Sequence, residues 1–593
     1  MPDTKGNAMQ PKHTGLSRRE FIAGAGGCLA IGAAHCIVPV KSARGDTVKR
    51  PNVVLIITDD QGWGDLGCHG NPDIRTPVID RFAGESTEFV HFYVLPVCAP
   101  TRASLLTGRY NFRTGVTGTY LGRSLLAPDE VTVAELFAEA GYRTGIFGKW
   151  HLGDSYPMRP GDQGFHESLV HHGAAIGQPS GPPGNSYFDP VLIDNGSERR
   201  FGGYVTDIFT DAAVSFIERD ITSPFFALIA YNSPHIPLQV PEEYVKPYRD
   251  CGLTESTARY YGMCTNVDEN VGRVLEALRS SGIENDTVVI FMTDNGPQFT
   301  WDQTDRFTAG LRGRKATMYD GGIRVPFFIR WPGRFGAGVM IDSIAAHIDV
   351  LPTLLDACSI AIPGTPGLDG KSLLPLLSGG REDWPDRMVF FQWNGPVEPK
   401  LYSQFAVRSQ RYKLVQPANK TYHSRDEVIP DLELYDMDSD PGETKNVASE
   451  HPALVMDMLG AYEDWFRDVS LTRGYGPVRI YIGSPHQNPV TLTRQDWQGP
   501  GAGWNDGDLG YWEIRVVRSG SYVVTLRFPE TSAAGYAHVM LGNRHITAVV
   551  EKAAVSCGFE PVALEAGDGR LHAWVTIEGK ASGAHYVDIA SGE

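Results

Sequence analysis

Four short apolar runs, each closed by reactive side chains, constrain this chain more than any other feature. Residues 52–58 (NVVLIIT) are followed at once by Asp59 and Asp60, and residues 288–293 (VVIFMT) by Asp294 and Asn295. Residues 144–147 lead into Lys149 and His151, and residues 226–230 into the loop Asn232-Ser233-Pro234-His235. Uninterrupted apolar runs of this length suit strands buried on both faces. Helical patterns lie between them over residues 131–140 and 266–281, the second with Val267, Val271, Val274, Leu275 and Leu278 on one face. This alternation predicts an α/β fold with a largely parallel sheet and helices on both sides. Ligands of open α/β sheets bind beyond the carboxyl ends of the strands, so the four clusters are expected to meet in one crevice.

Residues 96–108 (PVCAPTRASLLTG) supply the group that such a crevice would serve. Pro100 favours a first helical turn and residues 103–106 continue a helical run, which puts Cys98 at a helix start. There it faces unpaired backbone N–H groups and the positive end of the helix dipole, with Arg102 one turn on: an anion site. Taken alone, the same residues also describe a buried cysteine ahead of a helix. Asp59, Asp60, Asp294 and Asn295 are hard oxygen donors without a thiolate or histidine cluster, a set suited to calcium or magnesium. Each pair singly is equally a turn or a helix cap.

The spacing Cys98-x-Pro100-x-Arg102 and the later stretch of residues 141–151 (GYRTGIFGKWH) resemble, in order, the two signatures of the type I sulfatases. The resemblance covers roughly residues 50 to 470. It implies an alkaline-phosphatase-like fold: a mixed, largely parallel sheet flanked by helices, with a small antiparallel α+β subdomain. It also implies that a maturase reading Cys98, Pro100 and Arg102 oxidises Cys98 to formylglycine (3-oxoalanine). Asp59, Asp60, Asp294 and Asn295, with residue 98, match the ligands of one calcium ion. By the same resemblance Asp294 helps to deprotonate the nucleophilic hydroxyl and Arg102 holds negative charge. Lys149 steadies the hydrate and a sulfate oxygen, and His151 is the base for the second hydroxyl. His235 and Lys315, the latter from residues 311–322 (LRGRKATMYDGG), serve the leaving group. The implied activity is sulfuric ester hydrolysis on a sulfated carbohydrate or an aryl sulfate. Alternatives are a phosphonate or phosphodiester hydrolase on the same fold, a noncatalytic polysaccharide-binding protein, and a lysosomal sulfatase with sequons at Asn195, Asn285 and Asn419. On the substrate side, Trp301, Asp302, Arg306, His171 and His172 are candidates to meet a sugar.

Ser17-Arg18-Arg19-Glu20-Phe21-Ile22 ahead of the glycine-rich residues 22–40 looks like a twin-arginine export signal, cut near Ala43, rather than a spanning helix. The expected location is therefore periplasmic or secreted, with the export machinery as a transient partner and no stable membrane insertion. Residues 1–44 hold six Lys/Arg and two Asp/Glu, so without them the 53 basic and 70 acidic residues fall to 47 and 68, a net charge of −21. A field of that sign excludes nucleic acid as a partner and demands a locally positive pocket for a sulfated substrate. Apart from Cys98, five cysteines remain beyond residue 44 (Cys68, Cys251, Cys264, Cys358 and Cys557), enough for two disulfides at most.

The segment over residues 155–203, rich in glycine and proline, reads as a long pocket-shaping loop. Four domains are expected: a signal (1–44), a catalytic α/β domain (50–384), a small antiparallel subdomain (385–473) closed by a helix from about residue 452 to 469, and a C-terminal β-sandwich (476–593). In the last, residues 511–516 alternate apolar and polar, turn at Ser519-Gly520 and resume at Tyr522, the pattern of a hairpin. Further strands are expected over residues 538–541, 545–550, 570–577 and 586–589. None of the ten proposed site residues falls here, so the module is expected to assist with polymeric substrate and to add nothing to the chemistry. Trp512 is in phase with Ile514 and Val516 and reads as core, while Trp497 and Trp504 lie in glycine-rich loops and read as exposed sugar platforms.

Overall fold

A computed structural model describes residues 50–592 except 363, 365–366, 381–383, 396 and 418–431; the export signal and the sequon at Asn419 lie outside the described residues. Ten strands form the central sheet: β1 (Asn52–Thr58), β2 (Thr87–Phe89), β3 (Arg143–Lys149), β4 (Glu167–His171), β5 (Val191–Asp194), β6 (Ser197–Arg200), β7 (Phe225–Ala230), β8 (Thr287–Thr293), β9 (Phe327–Arg330) and β10 (Val339–Ile341). Their order is β10-β2-β9-β8-β1-β7-β3-β4-β5-β6. The middle five pair in parallel, and antiparallel pairs join β9 to β8 on one side and β5 to β4 on the other.

Both faces of the parallel region are covered, which is why its strands are apolar throughout. Along β1, Val53, Leu55 and Ile57 enter one core with α1 (Cys98–Thr107), α2 (Val133–Glu139) and α5 (Val350–Ala357). Val54 and Ile56 enter another with α3 (Val205–Arg219) and α4 (Glu255–Ser280). The fold is the mixed, largely parallel α/β architecture that the strand-helix alternation predicts. The second helix is longer than its apolar stripe suggested, beginning at Glu255 where the side chain of Thr254 caps it.

Two expectations are corrected. Residues 155–203 are not one loop, because β4, β5 and β6 lie within them and extend the sheet. Those strands are four or five residues long, and β6 is exposed along its whole length, so no apolar run announces it. The strands Tyr511–Val516 and Gly520–Arg527 do not form a hairpin: the first pairs with Ile480–Ile482 and Gly567–Ile577, the second with Tyr586–Gly592 and Ser556–Gly558. The connection crosses from one sheet to the other, and Trp512, Ile514 and Val516 meet Tyr522, Val524 and Leu526 in one core between the sheets.

Before that pair of sheets comes a four-stranded antiparallel sheet of Val389–Gln392, Phe405–Arg408, Tyr412–Gln416 and Glu433–Asp436. Helix α6 (Pro452–Leu471) packs on it through Met458, Leu459 and Tyr462, whose ring stacks on Phe405 at 3.7 Å. Leu125 and Met158, which precede the sandwich by hundreds of residues, belong to the core of the C-terminal sheets. All six cysteines among the described residues are free thiols.

Candidate active site

The carboxyl ends of β1, β3, β7 and β8 deliver their reactive groups to one buried place, and α1 brings Cys98 to it. All ten residues of α1 are buried, with Cys98 at its first position after Val97 in extended conformation. Two site residues adopt left-handed backbone without being glycine, Asp60 at φ 66° and His151 at φ 61°. Such conformations cost energy and persist where the surroundings enforce them. Here each follows a parallel strand and turns a polar side chain back over the sheet end. Gly296 closes the site beside Asn295: a Cβ there would stand 1.9 Å from the carbonyl oxygen of Gly321, so only glycine lets this loop pack against the segment that carries Lys315.

The contacts join eight of the ten predicted residues in one network, with Cys98 and His151 as a pair beside it. Arg102 donates through Nε and Nη2 to Asp294 Oδ2 at 3.0 and 2.7 Å, and through Nη1 to the Lys149 carbonyl at 2.9 Å. Lys149 Nζ reaches Asp59 Oδ2 at 2.6 Å, and Lys315 Nζ reaches Asp60 Oδ1 at 2.6 Å. Asn295 Nδ2 donates to that same Asp60 oxygen at 2.7 Å, and the Asp60 N–H donates to Asp294 Oδ1 at 3.2 Å. His235 Nε2 lies 3.5 Å from Asp60 Oδ2, and Cys98 Sγ lies 3.4 Å from His151 Nδ1.

After these bonds Asp59 Oδ1, Asp60 Oδ2 and Asn295 Oδ1 are buried without a hydrogen-bond partner among the described residues. Orphaned buried acceptors are expensive, and three in one cluster fit a cation that they would share. Asp59, Cys98 and Asp294 each present a ligand atom within 4.8 Å of the others, as do Asp59, Asp60 and His235. Hard oxygens in that number match calcium or magnesium. Three carboxylates (Asp59, Asp60, Asp294) and three cations (Arg102, Lys149, Lys315) cancel formally. A bound divalent ion would therefore make the pocket net positive inside an acidic protein, and ready for an anion.

The electrostatics follow from burial and from these pairs. Burial and then the neighbouring Asp59 charge raise the Asp294 carboxyl to about 6, against the pull of Arg102. For Asp60, burial is outweighed by Lys315, His235 and Lys149, and its carboxyl is held well below the usual range. Burial raises the Cys98 thiol. It lowers His151 well below the ordinary imidazole value, with Lys149 adding to the effect, and lowers His235 to about 3. Both histidines are thus neutral near neutral pH. His151 Nε2 lies 2.7 Å from the Thr119 carbonyl, which can only accept, so that nitrogen carries the proton and the Nδ1 lone pair faces Cys98. By the same reasoning His235 donates from Nδ1 to the Ile236 carbonyl at 2.6 Å and turns Nε2 to the site.

The substrate-side candidates fare differently. Arg306 is a structural residue and not a sugar contact: its buried guanidinium grips Asp65 through Nε and Nη2 at 3.0 and 2.5 Å and lies 3.4 Å over the Tyr260 ring. His171 is buried beside Lys149 in the β3–β4 register. His172 pairs with Glu198 at 3.1 Å and lines a cavity of about 540 Å³, with Arg527 and Tyr586, that none of the ten residues borders. Trp301 is 94% exposed. Sequence reading passed over Asn232, whose two side-chain polar atoms are buried and unpartnered among the described residues although it stands in the same strand-end loop as His235. Strand-end position was the signal that could have found it.

Residues 51–360 match the sulfatase family model, and residues 313–459 match that of the N-sulphoglucosamine sulphohydrolase C-terminal region. Arylsulfatase A of Homo sapiens is 33% identical over 465 residues, which cover 70% of this chain and 87% of that protein. N-acetylgalactosamine-6-sulfatase of Mus musculus is 32% identical over 365 residues, covering 58% and 68%. Among solved structures, Ps i-CgsB in complex with k-i-k-neocarrahexaose aligns with a TM-score of 0.64 at 27% identity, over 72% of this chain and 95% of that one. Phosphonate monoester hydrolase of Agrobacterium radiobacter shares the fold at 23% identity, with a TM-score of 0.51 over 71% and 96%.

Proposed function

Since the chain belongs to the sulfatase family, within the alkaline phosphatase superfamily, and hydrolyses sulfate esters, we propose that its substrate is a sulfated carbohydrate and that its site works with a formylglycine at position 98 and one calcium ion. The observation that carries this reading is the set of unpartnered buried oxygens of Asp59, Asp60 and Asn295 next to Cys98, whose sulfur faces the lone pair of His151. A formylglycine at position 98 would, once hydrated, supply two hydroxyls on one carbon, one of them the nucleophile toward sulfur, and a calcium ion, which Asp59, Asp60, Asp294, Asn295 and residue 98 would hold, would offset charge on the sulfate.

The chain's own groups then divide the work. Asp294, whose carboxylate lies against residue 98, takes a proton from the side chain at that position. Arg102 and Lys149 hold negative charge at the sulfate without reorganising, because Asp294 and Asp59 already fix them. His151 accepts a second proton at Nδ1, the atom facing residue 98. Lys315 and His235 stand together on Asp60, where the Lys315 cation would steady the departing alcohol and His235, neutral at rest, would pass it a proton once one is gained at Nε2. The maturase, the twin-arginine machinery and a periplasmic or secreted location belong to the same proposal. No helix among the described residues is long and apolar enough to cross a membrane.

Mass spectrometry of the peptide spanning Cys98, with sulfate release measured across defined sulfated saccharides, tests the reading. The expected result is an aldehyde at position 98 and release from at least one saccharide. An active preparation carrying only thiol there removes the formylglycine mechanism. Higher turnover of aryl phosphodiesters than of matched sulfates reassigns the substrate class.

A further inference from the structure

The C-terminal sandwich reaches the active site at Gln495. Gln495, just after the strand Val490–Thr493, is buried, and its Nε2 donates at 2.7 Å to the carbonyl oxygen of Thr119. That oxygen is the same one that receives His151 Nε2–H at 2.7 Å. The backbone carbonyl of Gln495 accepts from Gly122 N at 3.2 Å, so one residue grips the 119–122 turn at both ends. Gly122, at φ 68°, allows the approach: a Cβ there would stand 2.8 Å from the Asp496 carbonyl and 2.5 Å from Gln498 Nε2. Trp504 packs on Tyr120 in the same turn, with ring centroids 5.2 Å apart.

The amide of Gln495 can face only one way. Thr119 O accepts and cannot donate, so Nε2 must meet it, and Oε1 is left buried with no hydrogen-bond partner among the described residues. A leucine would fill the space without that penalty, so the N–H donor is what the position uses. We propose that Gln495 is a positioning residue for His151: by holding the Thr119 carbonyl it keeps the imidazole in its Nε2–H form, with the Nδ1 lone pair on residue 98. The inference rests on the sulfatase reading, which gives His151 its proton to take. It departs from the expectation that the module adds nothing to the chemistry, and makes the sandwich the outer wall of the site. Histidines that ligate metals depend on such outer partners, whose loss lowers affinity or activity roughly ten- to hundredfold, and His151 is oriented in the same way.

The test uses the full chain with two substitutions, Gln495→Leu, which removes the donor at similar volume, and Gln495→Glu, which sets a carboxylate against the carbonyl. The first readout is independent of turnover: ¹⁵N-histidine spectra of protein made without maturase, with the His151 signals identified by their loss in His151→Gln. The wild-type ring is expected to show a protonated Nε2 in slow exchange with water, and both variants are expected to exchange that proton measurably faster. The second readout is kinetic, with kcat expected to fall roughly ten- to hundredfold and KM to stay within about twofold. His151 signals unmoved in the variants overturn the inference, whatever happens to kcat, and so does an unchanged kcat in an active enzyme. Should one variant fail to fold, the other decides. A wild-type enzyme that releases sulfate from no ester overturns the sulfatase reading instead, and the spectra then judge the positioning of the ring alone.

Discussion

Replacing Arg306 with methionine strips a countercharge from the base of the turn that carries Asp59 and Asp60. Asp65, its partner, is buried, and its Oδ2 also accepts the Gly62 N–H at 2.6 Å and the Tyr260 O–H at 3.1 Å. The Tyr260 hydroxyl sits 2.9 Å from the Asp60 carbonyl as well, so the ion pair, the tyrosine and the metal-side turn form one connected unit. Removing one member of a buried pair costs about 3–5 kcal/mol, because the other charge is stranded. The two donors left on Asp65 place the expected value at the low end, about 3 kcal/mol, and at 1.4 kcal/mol per decade the turn should open roughly a hundredfold more often. Amide hydrogen exchange over residues 60–66 measures that opening directly, without requiring the whole chain to unfold in two states. Protection should fall roughly a hundredfold, and calcium should bind more weakly. Asp65→Leu in the same chain should recover part of the loss, since no charge is then left alone. Unchanged protection combined with a raised KM for a saccharide would refute the reasoning and restore Arg306 as a sugar contact.

Chelating divalent ions should lower activity and the unfolding temperature together, and calcium should restore both. An ion present at a hundredfold over its dissociation constant adds about 2.7 kcal/mol, and recovery with zinc but not calcium would contradict the donor set. His151→Ala and His235→Ala should fail differently. The first should give a burst of released alcohol followed by slow turnover, and the second a penalty that grows as the leaving group becomes less acidic; identical profiles would undo the division of roles. Trp497→Ala should destabilise the C-terminal sheets by about 3–5 kcal/mol, because the ring is fully buried against Trp512 at 5.7 Å and under Arg494 at 4.9 Å. Denaturant midpoints of the module check this, and loss of polysaccharide binding with unchanged stability would speak for a sugar platform after all.

The site was legible because its parts are local in sequence. Asp59, Asp60, Asp294 and Asn295 each stand immediately after an apolar strand, and the parallel order of the sheet alone carries them to one end. What escaped notice depends on contacts that no local pattern encodes. Arg306 meets Asp65 across 241 residues, and Gln495 meets Thr119 across 376. Trp497 read as exposed from its glycine-rich surroundings, yet Gly510 and Gly583 are there to admit the ring: a Cβ on either would stand 2.6 or 2.4 Å from it. Strand β6, all charged or polar (SERR), carries no apolar signal because both its faces meet solvent. The arch between Tyr511–Val516 and Gly520–Arg527 shows the same limit, since alternation tells which residues face the core but not which sheet supplies the neighbour.

The first strand among the described residues lies in the middle of its sheet, paired on one side with β7 and on the other with β8. A ribosome makes β1 early and its two neighbours late, so one edge of the strand waits for Ala230 and the other until Thr293 has been synthesised. Helix α1 packs on the face built by those strands, and it waits with them. At about 5–20 residues per second, the roughly 200 residues between Cys98 and Thr293 take about 10–40 s to appear. For that interval the thiol that ends up 3% exposed is part of an unfinished chain, open to any enzyme that acts on extended peptide. Sheet topology thereby sets a clock: the order of the strands, as much as the motif around Cys98, determines how long the residue can be modified before the fold shuts over it.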